Sequence, residues 1–286
     1  MNRGIVIIAH NNRDIDYSLM SIISGGLAKK HLNLPVSLIT DQSTVDWMKT
    51  SDTFDKASQV FENIKIIDRP VSDNTRRLND GQEFKTVPFL NSTRSKVWDL
   101  TPYDETLLID SDYLIFSDLL NQYWHLADNV LIGKAMNDVQ GQRIGFLDKT
   151  VSDVGVHLYW ATTVMFKKNK ESKLFFDLVK QVEEHYDVFA DLYRFSSKQF
   201  RNDIAFSVAK HILDGFETTL TQSLPDILTV QDKDLLCEVR DSRLYFIIND
   251  GNNPDVYIPC SIKDMDVHFM NKQNIVRQKD KLMELL

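Results

Sequence analysis

Two aspartates separated by a single serine, Asp110-Ser111-Asp112, lie between two apolar runs, Leu107-Leu108-Ile109 and Tyr113-Leu114-Ile115-Phe116. Carboxylates so placed repel each other and resist transfer out of water. A divalent cation removes both penalties. Read as one strand, residues 104–116 put positions i and i+2 on one side, so that both carboxylates converge on a single ion. A helix cap or an edge turn is the competing account of the pair. Acid-x-acid recurs at Asp14/Asp16, Asp232/Asp234 and Asp264/Asp266, but in polar stretches or at expected helix starts. Solvated or capping carboxylates explain those three.

The elements that must position Asp110 and Asp112 alternate between strand and helix. Ile5–Ala9 reads as a buried strand, followed by the polar loop His10-Asn11-Asn12-Arg13. Asp14 to Leu32 reads as a helix with Ile15, Leu19, Ile22, Ile23 and Leu27 on one stripe. Val36–Thr40 forms a second strand ending at Asp41, and Ile64–Ile67 a third ending at Asp68-Arg69-Pro70. Asn91-Ser92 can cap a helix carrying Arg94, Lys96, Val97 and Leu100. Continuous apolar strands separated by helices imply a parallel sheet covered on both faces, with ligands beyond the carboxyl ends of the strands. His10, Asp41 and Asp110 all fall there.

The second half is expected to supply a strand at Val156–Phe166 and a long helix at Glu171–Phe189, apolar through Leu174, Phe175, Leu178, Val179 and Val182. A helix follows at Asn202–Leu213, ended by Gly215. Leu235–Ile248 reads as a hairpin turning at Asp241-Ser242, and residues 271–286 as a terminal helix with Ile275, Leu282 and Leu286 inward. No repeat or proline-rich linker divides the chain, so its halves are expected to share one continuous domain.

Composition narrows the chemistry. With 43% hydrophobic and 26% charged residues among 286, the chain is neither disordered nor a fibrous rod. A formal net charge of −8 excludes a protein that coats nucleic acid or anionic membrane nonspecifically. Only 10 glycines argue against several glycine-rich phosphate loops, so bound phosphates need another source of neutralisation. Cys237 and Cys260 make neither a disulfide framework nor a four-thiolate zinc site, which points to a reducing, cytoplasmic compartment. No apolar run reaches the roughly 18 residues of a membrane span.

The run Leu107-Leu108-Ile109-Asp110-Ser111-Asp112-Tyr113-Leu114-Ile115 resembles the DxD motif of GT-A fold nucleotide-diphospho-sugar glycosyltransferases. The likeness extends along the chain in order. Ala9 to Asn12 resembles that family's nucleoside-binding start. Asp41 matches a position that meets the base, and Arg94 a basic residue that contacts the donor. Tyr159-Trp160-Ala161-Thr162-Thr163-Val164-Met165 resembles the strand that walls the donor sugar, without the Asn-x-Gly of glycogenin-like members. Asn202-Asp203-Ile204 resembles the later acidic pair beside the reacting sugar. Val267-His268-Phe269-Met270-Asn271-Lys272 resembles the C-terminal segment whose His completes the metal site and whose Lys reaches the diphosphate, without the family's following Gly and Pro-Trp.

The resemblance implies an α/β, Rossmann-like, mostly parallel sheet flanked by helices, with a smaller acceptor-side region. Residues 1–150 would form the donor-binding half and 151–286 the acceptor-side half. It implies donor contacts from Ala9, His10, Asn11, Asp41, Arg94, Ser111 and Lys272, and a metal site of Asp110, Asp112 and His268. Asn202 and Asp203 would stand at the reacting centre. Two carboxylates with one imidazole favour Mn²⁺ over Mg²⁺, and the cation would stabilise the departing diphosphate as a Lewis acid. Asp203 is the candidate general base if the anomeric centre inverts. A hydrogen-bonded histidine at a strand end, and a helix N-cap, are the structural alternatives for His268 and Asp203.

The acceptor stays open between saccharide, protein and DNA. Compact transferases of this kind also resemble bacteriophage enzymes that glycosylate hydroxymethylated bases, and Arg76-Arg77 and Lys198 with Arg201 are basic clusters suited to a duplex. Against rival enzymes, the first loop lacks the glycine-rich sequence of sugar-1-phosphate nucleotidyltransferases. A haloacid-dehalogenase-type phosphatase would carry its D-x-D near the N-terminus. No P-loop, HExxH or GxSxG occurs. The non-enzymatic alternative is an inactive nucleotide-sugar-binding module.

Overall fold

Burial on both faces explains why the opening strands are unbroken apolar runs. In the computed structural model, β1 (Arg3–Ile8), β2 (Val36–Asp41) and β3 (Asn63–Ile67) are parallel neighbours, and β1 is solvent-free from Gly4 to Ile8. The structure describes residues 2–286 apart from 13, 70–74, 80–83, 91, 142–148, 154, 196–198, 218–221, 251, 252 and 254. Arg13, Pro70, Asn91 and Lys198 of the expectations above lie outside the described residues, as do the side chains of Arg76 and Arg77.

A two-stranded hairpin, β4 (Thr75–Asn79) and β5 (Phe84–Pro88), precedes the central strand β6 (Glu105–Ile109). The short strand β7 (Tyr113–Leu114) follows, then β8 (Leu131–Gly133), β9 (Met136–Asp138) and β10 (Trp160–Lys167). The main sheet runs β3-β2-β1-β6-β10-β8, with β10 antiparallel to both its neighbours. The last five strands are β11 (Ile227–Val230), β12 (Leu235–Arg240), β13 (Arg243–Asn249), β14 (Tyr257–Lys263) and β15 (Val267–Phe269). A second sheet is ordered β7-β15-β11-β9, and a third β12-β13-β14. The α/β class and the mainly parallel central sheet agree with the sequence-based expectation.

The expected single strand over 104–116 is instead two strands in different sheets. β6 joins the main sheet and β7 the second, and Asp110, Ser111 and Asp112 form the turn between them. The helix expected from Asp14 begins at Tyr17, as α1 (Tyr17–Leu32), because the Asp16 carboxylate caps it by accepting from the Leu19 N–H at 3.0 Å. Nor does α1 bury one stripe. Ile22, Ala28 and Leu32 pack into the core of the main sheet, while Leu19, Met20, Ile23 and Leu27 pack into a second core beneath the other two sheets. Small residues make this sandwich feasible: a Cβ on Gly26 would come within 2.7 Å of Leu286.

Elsewhere expected elements are shortened or split. The strand placed at Val156–Phe166 starts at Trp160. The helix placed at Glu171–Phe189 is two, Lys170–Glu184 and Tyr186–Tyr193, broken at His185. Phe175, Val179, Val182, Tyr186, Ala190 and Tyr193 are all buried, so helical spacing continues across the break and conceals it, while Leu174 is 51% exposed. The terminal helix is likewise split into Gln273–Arg277 and Lys279–Met283, where Gln278 turns its amide to the carbonyls of Leu236 and Cys237. Asn202–Leu213 is helical as expected, with Gly215 at φ +75° beyond it. The hairpin turns at Asp241-Ser242, both at positive φ. Among the described residues, no helix is long and apolar enough to cross a membrane.

Candidate active site

A cavity of about 610 Å³ opens where the parallel strands end. Ala9, His10, Arg94, Asp110, Ser111, Asp112, Asn202, Asp203, His268 and Lys272 all line it. Asn11 and Asp41 do not. The chain brings Asp110 and Asp112 together by a turn rather than by a strand's two-residue repeat. The Asp110 N–H donates to the Thr162 carbonyl at 3.0 Å, which holds one end of the turn against β10. The Asp112 carbonyl accepts from the Phe269 N–H at 2.9 Å, which holds the other end against β15. Because His268 precedes Phe269, the same bond delivers its imidazole to the aspartates.

Ligand atoms of Asp110, Asp112 and His268 lie within 4.8 Å of one another. His268 Nε2 is 3.6 Å from Asp112 Oδ1. Its Nδ1 faces the Thr229 hydroxyl at 3.4 Å, from the neighbouring position on β11. Two carboxylates and an imidazole converging on one point suit a divalent transition ion, so the residues present fit the cation implied by the motif. The two acids differ in character. Burial pushes the Asp110 carboxyl up, partly offset by Arg94 and reinforced by the charge of Asp112. Burial acts on Asp112 too, but the Lys272 ammonium and His268 outweigh it and hold that carboxyl well below its ordinary range.

Arg94 is 2% exposed and ties the aspartate turn to β10: its guanidinium donates to Asp110 and to the Ala161 carbonyl. Its neighbours fasten the segment that carries it. Thr93 faces His10 Nε2 at 3.5 Å, and Ser95 donates to Glu183 at 2.7 Å. Asp203, across the cavity, accepts the Ala161 N–H at 3.0 Å and faces Arg201, whose guanidinium lies over the Trp160 ring. Asp203 lines the cavity and is not the N-cap, since it is the second residue of the helix Asn202–Leu213, whose N-cap is Arg201.

Asp41 is 1% exposed, and its two oxygens are taken by His10, Ser43, Thr44 and Arg69. Burial raises its carboxyl, yet these donors together bring it down to about 2. The structure therefore gives Asp41 the work of holding the loop after β1. Asn11 acts in the same bracket: it receives the Ser18 N–H at 2.7 Å and donates its own N–H to Thr44. Arg69 closes the bracket by donating to Asp41 at 3.1 Å and to the Asn11 carbonyl at 2.7 Å. Sequence reasoning passed over Arg69, although it follows β3 as Asp41 ends β2. Thr229 and the Arg201–Trp160 contact had no comparable sequence signal.

No protein-family description matches the chain, and no curated protein matches it. Solved structures with a similar chain course include the galactosyltransferase LgtC in complex with donor and acceptor sugar analogs. That likeness has 13% identity and a TM-score of 0.44, over 72% of this chain and 70% of the other. Mouse xyloside xylosyltransferase 1 matches at 7% identity and a TM-score of 0.42, over 76% of this chain and 83% of the other. The glycosyltransferase GlyE of Streptococcus pneumoniae matches at 12% identity and a TM-score of 0.40, over 74% of this chain but 43% of its own length. The chain thus spans less than half of GlyE.

Proposed function

We propose that this chain is a glycosyltransferase that moves a sugar from a nucleoside-diphosphate sugar, a UDP-sugar in the first instance, to an acceptor hydroxyl. The observation that carries this is the convergence of Asp110, Asp112 and His268 on the same cavity as Asp203, with the β1 loop at its rim. Asp110, Asp112 and His268 would hold Mn²⁺ or Mg²⁺, which supplies Lewis-acid stabilisation to the leaving diphosphate. Arg94 and Lys272 add fixed positive charge beside it. Ala9 and His10 border the nucleoside end, and Ser111 the floor between the aspartates.

In the reaction the acceptor oxygen forms a bond to the anomeric carbon as the bond from that carbon to the diphosphate breaks. Its electron pair leaves with the diphosphate, and the acceptor proton passes to a base. For an inverting course Asp203 is the base, with Asn202 beside it. The Ala161 N–H and Arg201 fix its orientation across the cavity from the cation ligands.

Isothermal titration with UDP and Mn²⁺ followed by donor hydrolysis tests the donor side. Transfer of labelled sugar to oligosaccharides, protein extracts and hydroxymethylcytosine DNA tests the acceptor side. Turnover of a sugar nucleotide supports the proposal. Binding without turnover on any acceptor identifies a binding module, and absence of nucleotide binding removes the proposal altogether.

A further inference from the structure

Each carboxylate of the Asp110–Asp112 pair already has a buried positive partner. Lys272, 2% exposed, places Nζ 2.5 Å from Asp112 Oδ2. Arg94, equally buried, donates to Asp110. The lysine is also held by its own chain, with Nζ 3.4 Å from the Phe269 carbonyl and 3.3 Å from that of Met270. Asp112 thus offers one oxygen to the ammonium and turns the other, Oδ1, toward His268.

Two anions and two cations leave these four side chains neutral as a group. A divalent ion entering alone adds two charges to a group already neutral, at carboxylates only 23% and 8% exposed, which is unfavourable. It also meets the Lys272 ammonium on the carboxylate it needs. A nucleoside diphosphate changes the balance, because its phosphates bring at least two negative charges and accept hydrogen bonds from an ammonium.

Building on the nucleotide-sugar proposal, we infer that Lys272 is an internal counter-ion that competes with the divalent cation for Asp112, so that metal and nucleoside diphosphate bind as a pair. Lys272 shifts its hydrogen bonds from Asp112 toward the phosphates as they arrive, and the freed carboxylate oxygen becomes a metal ligand. By linkage the coupling is reciprocal: the diphosphate tightens the metal by the same factor as the metal tightens the diphosphate.

The test is Mn²⁺ binding to the full chain, read from the electron paramagnetic resonance signal of the free ion, with and without UDP and without turnover. Saturating UDP is expected to tighten Mn²⁺ by about tenfold or more in the wild type. Lys272→Met is expected to bind Mn²⁺ alone about tenfold more tightly than the wild type and to gain less from UDP. A folded Lys272→Met protein that binds Mn²⁺ alone no better than wild type overturns the inference. So does a wild-type Mn²⁺ affinity indifferent to UDP, which needs no variant to fold. If neither UDP nor Mn²⁺ binds under any condition, the nucleotide-sugar proposal falls as well. If both bind and the variant changes nothing, only the counter-ion role is lost.

Discussion

His10 Nδ1 lies 2.8 Å from Asp41 Oδ2, and both side chains are sealed from solvent. An ionised carboxylate only accepts, so His10 carries its proton on Nδ1 and presents an unprotonated Nε2 toward Thr93. The pair joins the ends of β1 and β2 to the segment bearing Arg94. Asp41 thereby governs the cavity from behind its wall.

This pair makes stability depend on pH in one direction. Burial holds His10 below its ordinary value of 6.5, and Asp41 is brought from 3.8 to about 2. Both folded-state values lie below the unfolded ones, so the contribution of His10 is complete above pH 6.5 and declines on acidification. That of Asp41, about 2 kcal/mol at 1.36 kcal/mol per unit, is lost as pH falls from about 4 toward 2. In denaturant titrations the stability difference between the wild type and His10→Asn should shift against the wild type as pH falls from 7 to 5. Parallel profiles would refute the assignment.

Removing either aspartate of the pair should abolish metal-dependent activity, and the structure refines which substitution tests this. Asp112→Ala removes the carboxylate that the buried Lys272 ammonium faces at 2.5 Å, at about 3–5 kcal/mol. The isosteric Asp110→Asn and Asp112→Asn therefore test the site with less disturbance of the fold. Donor hydrolysis by these variants should drop at least about 100-fold, with circular dichroism unchanged. Full activity in either one contradicts the site.

Asp203→Asn keeps an oxygen able to accept the Ala161 N–H while removing the charge. If Asp203 is the base, transfer should fall about 10²- to 10⁴-fold while UDP affinity stays within twofold or so of wild type. A product of retained anomeric configuration, seen by NMR, would take the base role away from Asp203.

The β12–β13 turn offers a test of the fold away from the cavity. Asp241 and Ser242 stand at φ 48° and 60°, the conformation that Asn-Gly adopts without strain. Asp241→Asn with Ser242→Gly should add about 1 kcal/mol and raise Tm by about 2 °C. An unchanged or lower Tm would mean that the loop does not store the strain its backbone angles imply.

The strands β1, β2 and β6 were legible because parallel strands buried on both faces must be apolar throughout and must expose their carboxyl ends. That rule alone placed His10, Asp41 and Asp110 at one edge of the sheet. It did not say which of them face the cavity. Asp41 turns inward because four donors surround it: His10 after β1, Ser43 and Thr44 after β2, and Arg69 after β3. Such a set is assembled only in three dimensions.

The sequence by itself determined the alternation of strand and helix, the acid pair flanked by apolar runs, and the hairpin at Asp241-Ser242. Each follows from local propensity or from a short-range pattern of burial. Only the tertiary structure decided that Asp110-Ser111-Asp112 is a turn between two sheets, and that His268, over 150 residues later, completes its cluster. It also decided that Lys272 and Arg94 are buried against the two carboxylates. Charges of opposite sign find each other across the chain because burial makes an unpaired one costly, and that pressure acts on the folded whole and leaves no periodic mark in the sequence.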